Sequence, residues 1–234
     1  MNHQYILEVN HLNKIYSRRE KTGIFDVNFK VDHGSFHAFI GENGAGKTTT
    51  IKSIINSYTN WTGQIFIDGI SNKLAISKSK IGYVPEYAHF PKEVSVLDYL
   101  LSLGLLSGMK KKDALNRINE LLAILQITDL KKKKPYNFSS GQKKKVLLIQ
   151  ALMHNPEIII LDEPAANLDP TARHELFKLL VDLKKVGKTI FISSHILREV
   201  DGYCDSLTLM HKGRVVYSGK KYKSLEEIYN EKIL

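Results

Sequence analysis

The sequence predicts an α/β fold with a central, mostly parallel sheet, an N-terminal antiparallel β part and an inserted α-helical subdomain. Three observations predict it. First, Gly41-Glu42-Asn43-Gly44-Ala45-Gly46-Lys47-Thr48 fits G-x-x-x-x-G-K-[ST], the phosphate-binding P-loop. A strand-like run, Phe36 to Ile40, precedes it and a helix-like run, Thr49 to Ser57, follows it. Second, Ile158 to Leu161 and Thr189 to Ser193 are continuous apolar runs, as expected of strands buried on both faces. Third, helix-period segments separate these runs, which is the arrangement of parallel strands with crossover helices.

In chain order, residues 5–9 and 24–31 read as strands, the second with Ile24, Val27, Phe29 and Val31 mostly on one side. Asp32-His33-Gly34 is a turn into the P-loop strand. Gln64 to Ile67 is a strand ending in an Asp68-Gly69 turn, and Lys80 to Val84 is a short strand stopped by Pro85. Helical spacing then takes over. Val94, Leu97, Leu100, Leu101 and Leu105 share one helix face, as do Ala114, Ile118, Leu121, Leu122 and Leu125. Lys131–Lys134 and Pro135 break the spacing, and a new helix runs from near Ser140 to about His154. After the strand 158–161, Pro170 opens a helix that ends near Gly187. A helix is expected from His195, then a hairpin of Ser206 to Met210 and Arg214 to Ser218 turning at Lys212-Gly213. The whole chain, 1–234, thus reads as a P-loop NTPase core of about 1–90 and 156–234, with a helical subdomain at about 91–155.

The 234 residues supply ample core for such a domain. Cys204 is the single cysteine, so no internal disulfide is available, which suits a reducing cytoplasm, and a small buried side chain explains it. The start, Met1-Asn2-His3-Gln4, lacks a basic region followed by an apolar one, so no signal peptide is expected. The most apolar long window, Tyr99 to Met109, is too short to span a bilayer. The net charge is +10, and 28 of the 34 basic residues are lysine. A solvated lysine-rich surface accounts for this, with long-range attraction to an anionic membrane face as the sharper alternative. Nucleic-acid binding is not expected, because arginine, the preferred bidentate partner of bases and phosphates, is scarce.

Glycines let the P-loop backbone curl so that several N–H groups face one anion, and the following helix N-terminus favours the same charge. Lys47 would reach the β/γ-phosphates of a nucleotide, and the Thr48 hydroxyl would sit on Mg²⁺. Asp162 and Glu163 end the buried strand 158–161, a position that faces the nucleotide in a P-loop protein. There Asp162 can hold Mg²⁺ through water and Glu163 can polarise the attacking water.

The order of motifs resembles a known family. The P-loop is followed by Phe138-Ser139-Ser140-Gly141-Gln142, then Leu161-Asp162-Glu163-Pro164, Asn167-Leu168-Asp169 and Ser194-His195. That series resembles the nucleotide-binding subunit of an ABC transporter over nearly the whole chain. The resemblance implies a head-to-tail pair of such subunits around two ATP molecules, homo- or heterodimeric. Each ATP would meet the P-loop residues Gly41, Asn43, Gly44, Ala45, Gly46, Lys47, Thr48 and Thr49 of one chain and Ser139, Gly141 and Gln142 of the other. The family motif is L-S-G-G-Q, so this chain departs at Phe138 and at Ser140, which adds a Cβ where the family has none. A Ser-rich helix cap is the alternative reading of this stretch.

The resemblance further implies that Glu163 and His195 are catalytic, that Tyr16 stacks on adenine, and that Thr48, Asp162 and Glu86 serve Mg²⁺. Glu86 stands where the family usually has glutamine, a feature of a branch that exports drugs, polysaccharides or lipids. The expected protein is therefore a cytoplasmic ATPase, peripheral at the inner face of the membrane through transmembrane permease subunits. The alternatives are an importer ATPase, a soluble ABC ATPase acting on ribosomes or DNA, and a scaffold that binds nucleotide without hydrolysing it.

Overall fold

The computed structural model describes residues 4–17 and 22–234. Met1 to His3, on which the reading of the start mainly rests, lie outside the described residues. The strands are β1 (Tyr5–Ser17), β2 (Thr22–Asp32), β3 (Phe36–Ile40), β4 (Thr62–Ile67), β5 (Ile70–Ser71), β6 (Ile81–Val84), β7 (Ile158–Leu161), β8 (Thr189–Ser194), β9 (Ser206–His211) and β10 (Arg214–Lys220). The helices are α1 (Lys47–Ile54), α2 (Ala75–Lys78), α3 (Val96–Leu106), α4 (Lys111–Ile124), α5 (Ser140–Leu152), α6 (Pro170–Lys185), α7 (Leu197–Val200) and α8 (Leu225–Ile233).

Two sheets result. One is antiparallel in the order β2-β1-β4-β5. The other runs β10-β9-β3-β8-β7-β6, parallel throughout except for the edge strand β10. Alternation along the central strands explains why their sequences are apolar without interruption. Phe36, Ala38, Ile40, Ile159, Leu161, Ile190 and Ile192 pack against the helices. Phe39, Ile158, Ile160 and Phe191 point the other way, into a second core shared with β1, β2, β4 and α1. Slipping one residue in register would exchange the two faces, and both are filled, so the register is held from both sides.

The buried histidine of this sheet is satisfied. His37, in β3, stacks 5.5 Å from Phe191, and its two ring nitrogens meet Ser206 Oγ at 2.8 Å and Thr208 Oγ1 at 2.9 Å. Complete burial pushes its pKa down to about 3, so the ring is neutral. Cys204 is buried, and burial pushes its thiol up to about 11, which leaves it an inert packing residue.

Between β6 and β7, which lie side by side, the chain leaves the sheet to form α3, α4 and α5. Ser95 caps α3 by accepting from the Asp98 backbone N–H, and the apolar faces of all three helices join the larger core. Among the described residues no helix is long and apolar enough to cross a membrane.

The structure differs from expectation at several elements. β1 continues well past residue 9 to Ser17, because a register shift near Leu12 and the positive φ of His11 (50°) carry the strand through a polar stretch. The helix expected from His195 begins at Leu197 and has four residues, since the Ser194 hydroxyl accepts from the Ile196 backbone N–H and holds a turn there. α2, β5 and α8 were not anticipated. The Asp68-Gly69 turn is present, with φ of 47° and 71°.

Candidate functional site

The P-loop leaves the end of β3 in the middle of the parallel sheet and enters α1. Two of its glycines are dictated by space. A Cβ on Gly41 would lie 2.6 Å from the Met210 carbonyl oxygen, so β9 and the loop could not approach. Gly46 has φ 104°, and a Cβ there would lie 2.4 Å from Ile24 Cγ2 in β2. Gly46 is also the residue before α1, and no side chain caps that helix. Its first N–H groups are therefore left for an anion. The loop is braced from behind, where the Gly213 backbone N–H donates to the Ala45 carbonyl.

Lys47 is 5% exposed. Its Nζ donates to the Gly41 carbonyl at 2.6 Å and the Glu42 carbonyl at 3.2 Å, and lies 3.1 Å from Glu163 Oε1. The ammonium is thus held by the loop's own carbonyls. The carboxylates come from the end of β7. Asp162, 1% exposed, accepts from Ser193 Oγ at 2.8 Å and from Thr48 Oγ1 at 3.3 Å. Burial raises its pKa, and the two hydroxyls pull the other way. Glu163 follows with φ 43°, a left-handed conformation that turns its side chain from the strand line toward the loop. Its backbone N–H donates to Ser193 Oγ at 2.9 Å, and His195 Nδ1 donates to its Oε2 at 2.9 Å. Its Oε1 is buried without a hydrogen-bond partner, for Lys47 approaches it without hydrogen-bond geometry.

These groups surround a cavity of about 250 Å³ lined by Glu42, Asn43, Gly44, Gly46, Lys47, Thr48, Thr49, Glu86, Glu163, Ala166 and His195. Gly41, Ala45 and Asp162 stand behind that wall. Oxygen donors dominate one side of it. The Thr48 hydroxyl and the Asp162 and Glu86 carboxylates are a hard set that fits Mg²⁺, and the buried Glu163 Oε1 faces the Lys47 ammonium. Tyr16, 56% exposed, is at the outer edge, its hydroxyl 3.2 Å from Thr49 Oγ1 and its ring 5.0 Å from Lys14 Nζ.

Ser139, Gly141 and Gln142 are not on that wall. They begin α5, where a capping box locks them: the Ser139 hydroxyl accepts from the Gln142 N–H, and the Gln142 side chain accepts from the Ser139 N–H. The helix-cap reading of this stretch therefore holds within the single chain. Ser140 Oγ donates to the Asn167 carbonyl at 2.8 Å, so its extra Cβ carries a hydroxyl that ties α5 to the segment before α6. A Cβ on Gly141 would come 3.1 Å from Ala172 Cβ, which shows how closely the two helices meet.

Two contributors were missed by sequence reasoning. Ser193 bridges Asp162 and the Glu163 backbone, and its only signal was a hydroxyl pair ending an apolar strand. Lys144, 5% exposed on α5, donates to the Pro85 and Glu86 carbonyls at 3.1 and 3.0 Å. It fastens the loop after β6 to the helix that Ser139 begins. Burial pushes its ammonium down to about 8, against the Glu86 and Asp162 charges.

Residues 24–166 match the family model of the ABC transporter. The chain is 52% identical over 217 residues to a protein of Mycoplasma pneumoniae named as an ABC transporter ATP-binding protein, covering 92% of this chain and 67% of that one. It is 30% identical over 209 residues to a Nod factor export ATP-binding protein of Burkholderia lata, covering 88% and 69%. Among solved structures it is similar to the ATP-binding subunit of an ABC transporter, with a TM-score of 0.84 at 32% identity over 97% of this chain and 98% of that one.

Proposed function

The chain belongs to the ABC transporter family as an ATP-binding subunit, the kind that hydrolyses ATP in transporters, and on that premise we propose that it works as one of a head-to-tail pair and powers export. Transmembrane partners follow from the family. The observation that carries the paired reading is the division of the site. The loop, Glu163 and His195 share one cavity wall, while Ser139, Gly141 and Gln142 lie on α5 away from it. Those three serve the ATP held by a second subunit. Export is supported by a relative named for Nod factor export and by glutamate at position 86.

In the proposed reaction Lys47 leaves the Gly41 and Glu42 carbonyls for the β/γ-phosphates. Glu163 accepts a proton from water as the water oxygen bonds to the γ-phosphorus and the bond to the bridging oxygen breaks, releasing ADP and phosphate. His195, hydrogen-bonded to Glu163, orients that carboxylate and meets the γ-phosphate. Thr48, Asp162 and Glu86 would hold Mg²⁺, which neutralises phosphate charge when bound. Tyr16 stacks on the adenine through its exposed face. Residues of about 91–155 form the helical subdomain, and the protein sits at the inner face of the membrane through its permease partners.

Phosphate release from MgATP by the purified chain tests hydrolysis, and a mixing experiment tests the pair. Ser139→Arg should bind nucleotide as a monomer yet release no phosphate. Mixed with Lys47→Ala, it should recover activity near one working site per dimer, because in the mixed pair both lesions fall on one site and leave the other intact. No recovery in the mixture excludes the head-to-tail arrangement.

Glu86 is proposed to couple more than it binds, since Lys144 ties its backbone to α5 and the residue lines the cavity. Glu86→Ala should leave ATP affinity within about threefold, as for a carboxylate that meets the metal through water, and abolish transport in reconstituted membranes. Normal transport by this variant removes Glu86 from the coupling role.

A further inference from the structure

One contact to the P-loop comes from the far end of the chain. The hydroxyl of Tyr229, on α8, donates to Glu42 Oε1 at 2.7 Å. Glu42 is the second residue of the loop and lines the nucleotide cavity. Its carbonyl is held from inside by the Ala45 N–H and by Lys47 Nζ. Its carboxylate is held by Tyr229, and it has no bond to Lys47, Thr48 or His195 among the described residues.

α8 is firmly placed for that task. Ser224 and Glu227 form a capping box at its start, and Leu225 and Ile228 are buried in the larger core. The Leu225 N–H donates to Asp201 Oδ1 at 2.8 Å, and Asp201 also pairs with Lys221. Asp201 immediately follows α7, which begins two residues after His195. The helix therefore spans the rim from the His195 segment to the shoulder of the P-loop. Tyr229 sits beside Ile228, so its ring position follows from core packing.

We infer that Tyr229 is a positioning residue for nucleotide binding: it keeps the Glu42 carboxylate turned outward, away from the phosphates. The inference rests on the nucleotide reading of the cavity. Its logic is electrostatic. Glu86, Asp162 and Glu163 already make the site acidic, and a polyphosphate adds more negative charge. A free carboxylate on the loop itself would repel that ligand, and the repulsion grows with ligand charge. The hydrogen bond from Tyr229 fixes the carboxylate at the rim and spreads its charge.

The test is a double-variant cycle read by calorimetric titration with MgATP and MgADP. Tyr229→Phe keeps the ring and its packing, so the fold is preserved, and its melting temperature should stay close to that of the native chain. It should weaken MgATP by about 3- to 10-fold, and MgADP less, in line with a charged hydrogen bond at a partly exposed site. In a Glu42→Gln background the same change should cost less than about twofold, because no charge remains to be turned away. Equal losses in both backgrounds, or no loss in the native one, overturn the inference. Failure of the unaltered chain to bind MgATP would instead overturn the nucleotide reading, so the two failures are distinct.

Discussion

Glu163→Gln should hold ATP but release phosphate roughly 10²- to 10⁴-fold more slowly, the span expected when a positioned general base is lost. The geometry explains why binding survives. The amide is the same size as the carboxylate, its oxygen can face Lys47 Nζ, and its NH₂ can donate to His195 Nδ1, so both contacts at 3.1 and 2.9 Å keep a partner. The backbone N–H still donates to Ser193 Oγ, so the left-handed turn that aims the side chain persists. Only the ability to take a proton is gone. An ATP-loaded dimer should accumulate and be visible by size-exclusion chromatography. Turnover at the native rate would exclude Glu163 as the base.

Lys47→Ala should weaken MgATP by about 10²-fold, the scale for truncating one partner of a buried charged hydrogen bond. Two losses combine. The phosphates lose the one lysine or arginine side chain lining the cavity among the described residues. Glu163, whose side chain is 11% exposed, loses the neighbouring charge and adds its own to the acidic wall. Lys47 also holds the Gly41 and Glu42 carbonyls, so the loop should loosen as well. Equilibrium titration with MgATP decides the matter, and native affinity in the variant would remove the loop from phosphate binding.

The parts of the site that were legible in the sequence are those made within one short stretch. The P-loop could be read because its chemistry is carried by backbone N–H groups, glycines and one lysine within eight consecutive positions. Asp162 and Glu163 could be read because a buried strand has a single open end. Contacts between distant segments left no local trace. Tyr229 meets Glu42 across 187 positions, and Lys144 meets Glu86 across 58, with nothing in either stretch to announce the other. α8 did carry a local signal, Ser224 with Glu227 three residues on, ahead of an apolar spacing. The outer half of β1 is not legible because it is written in polar residues, Asn10, His11 and Asn13, and its strand form comes from tertiary pairing with β2 and β4.

The strand that carries the loop has neighbours supplied late. Phe36 pairs with Ile190 of β8 and His37 with Ser206 of β9, and the Ala45 carbonyl takes its bond from Gly213. During synthesis the phosphate motif therefore leaves the ribosome long before anything can hold it in shape. Closing such distant pairs costs chain entropy before any contact repays it, which slows folding. An unfinished chain carries the motif without the cradle, so nucleotide has nothing to grip until β9 and its turn have arrived. Binding then stabilises only finished molecules, by a margin set by the ratio of nucleotide concentration to its dissociation constant.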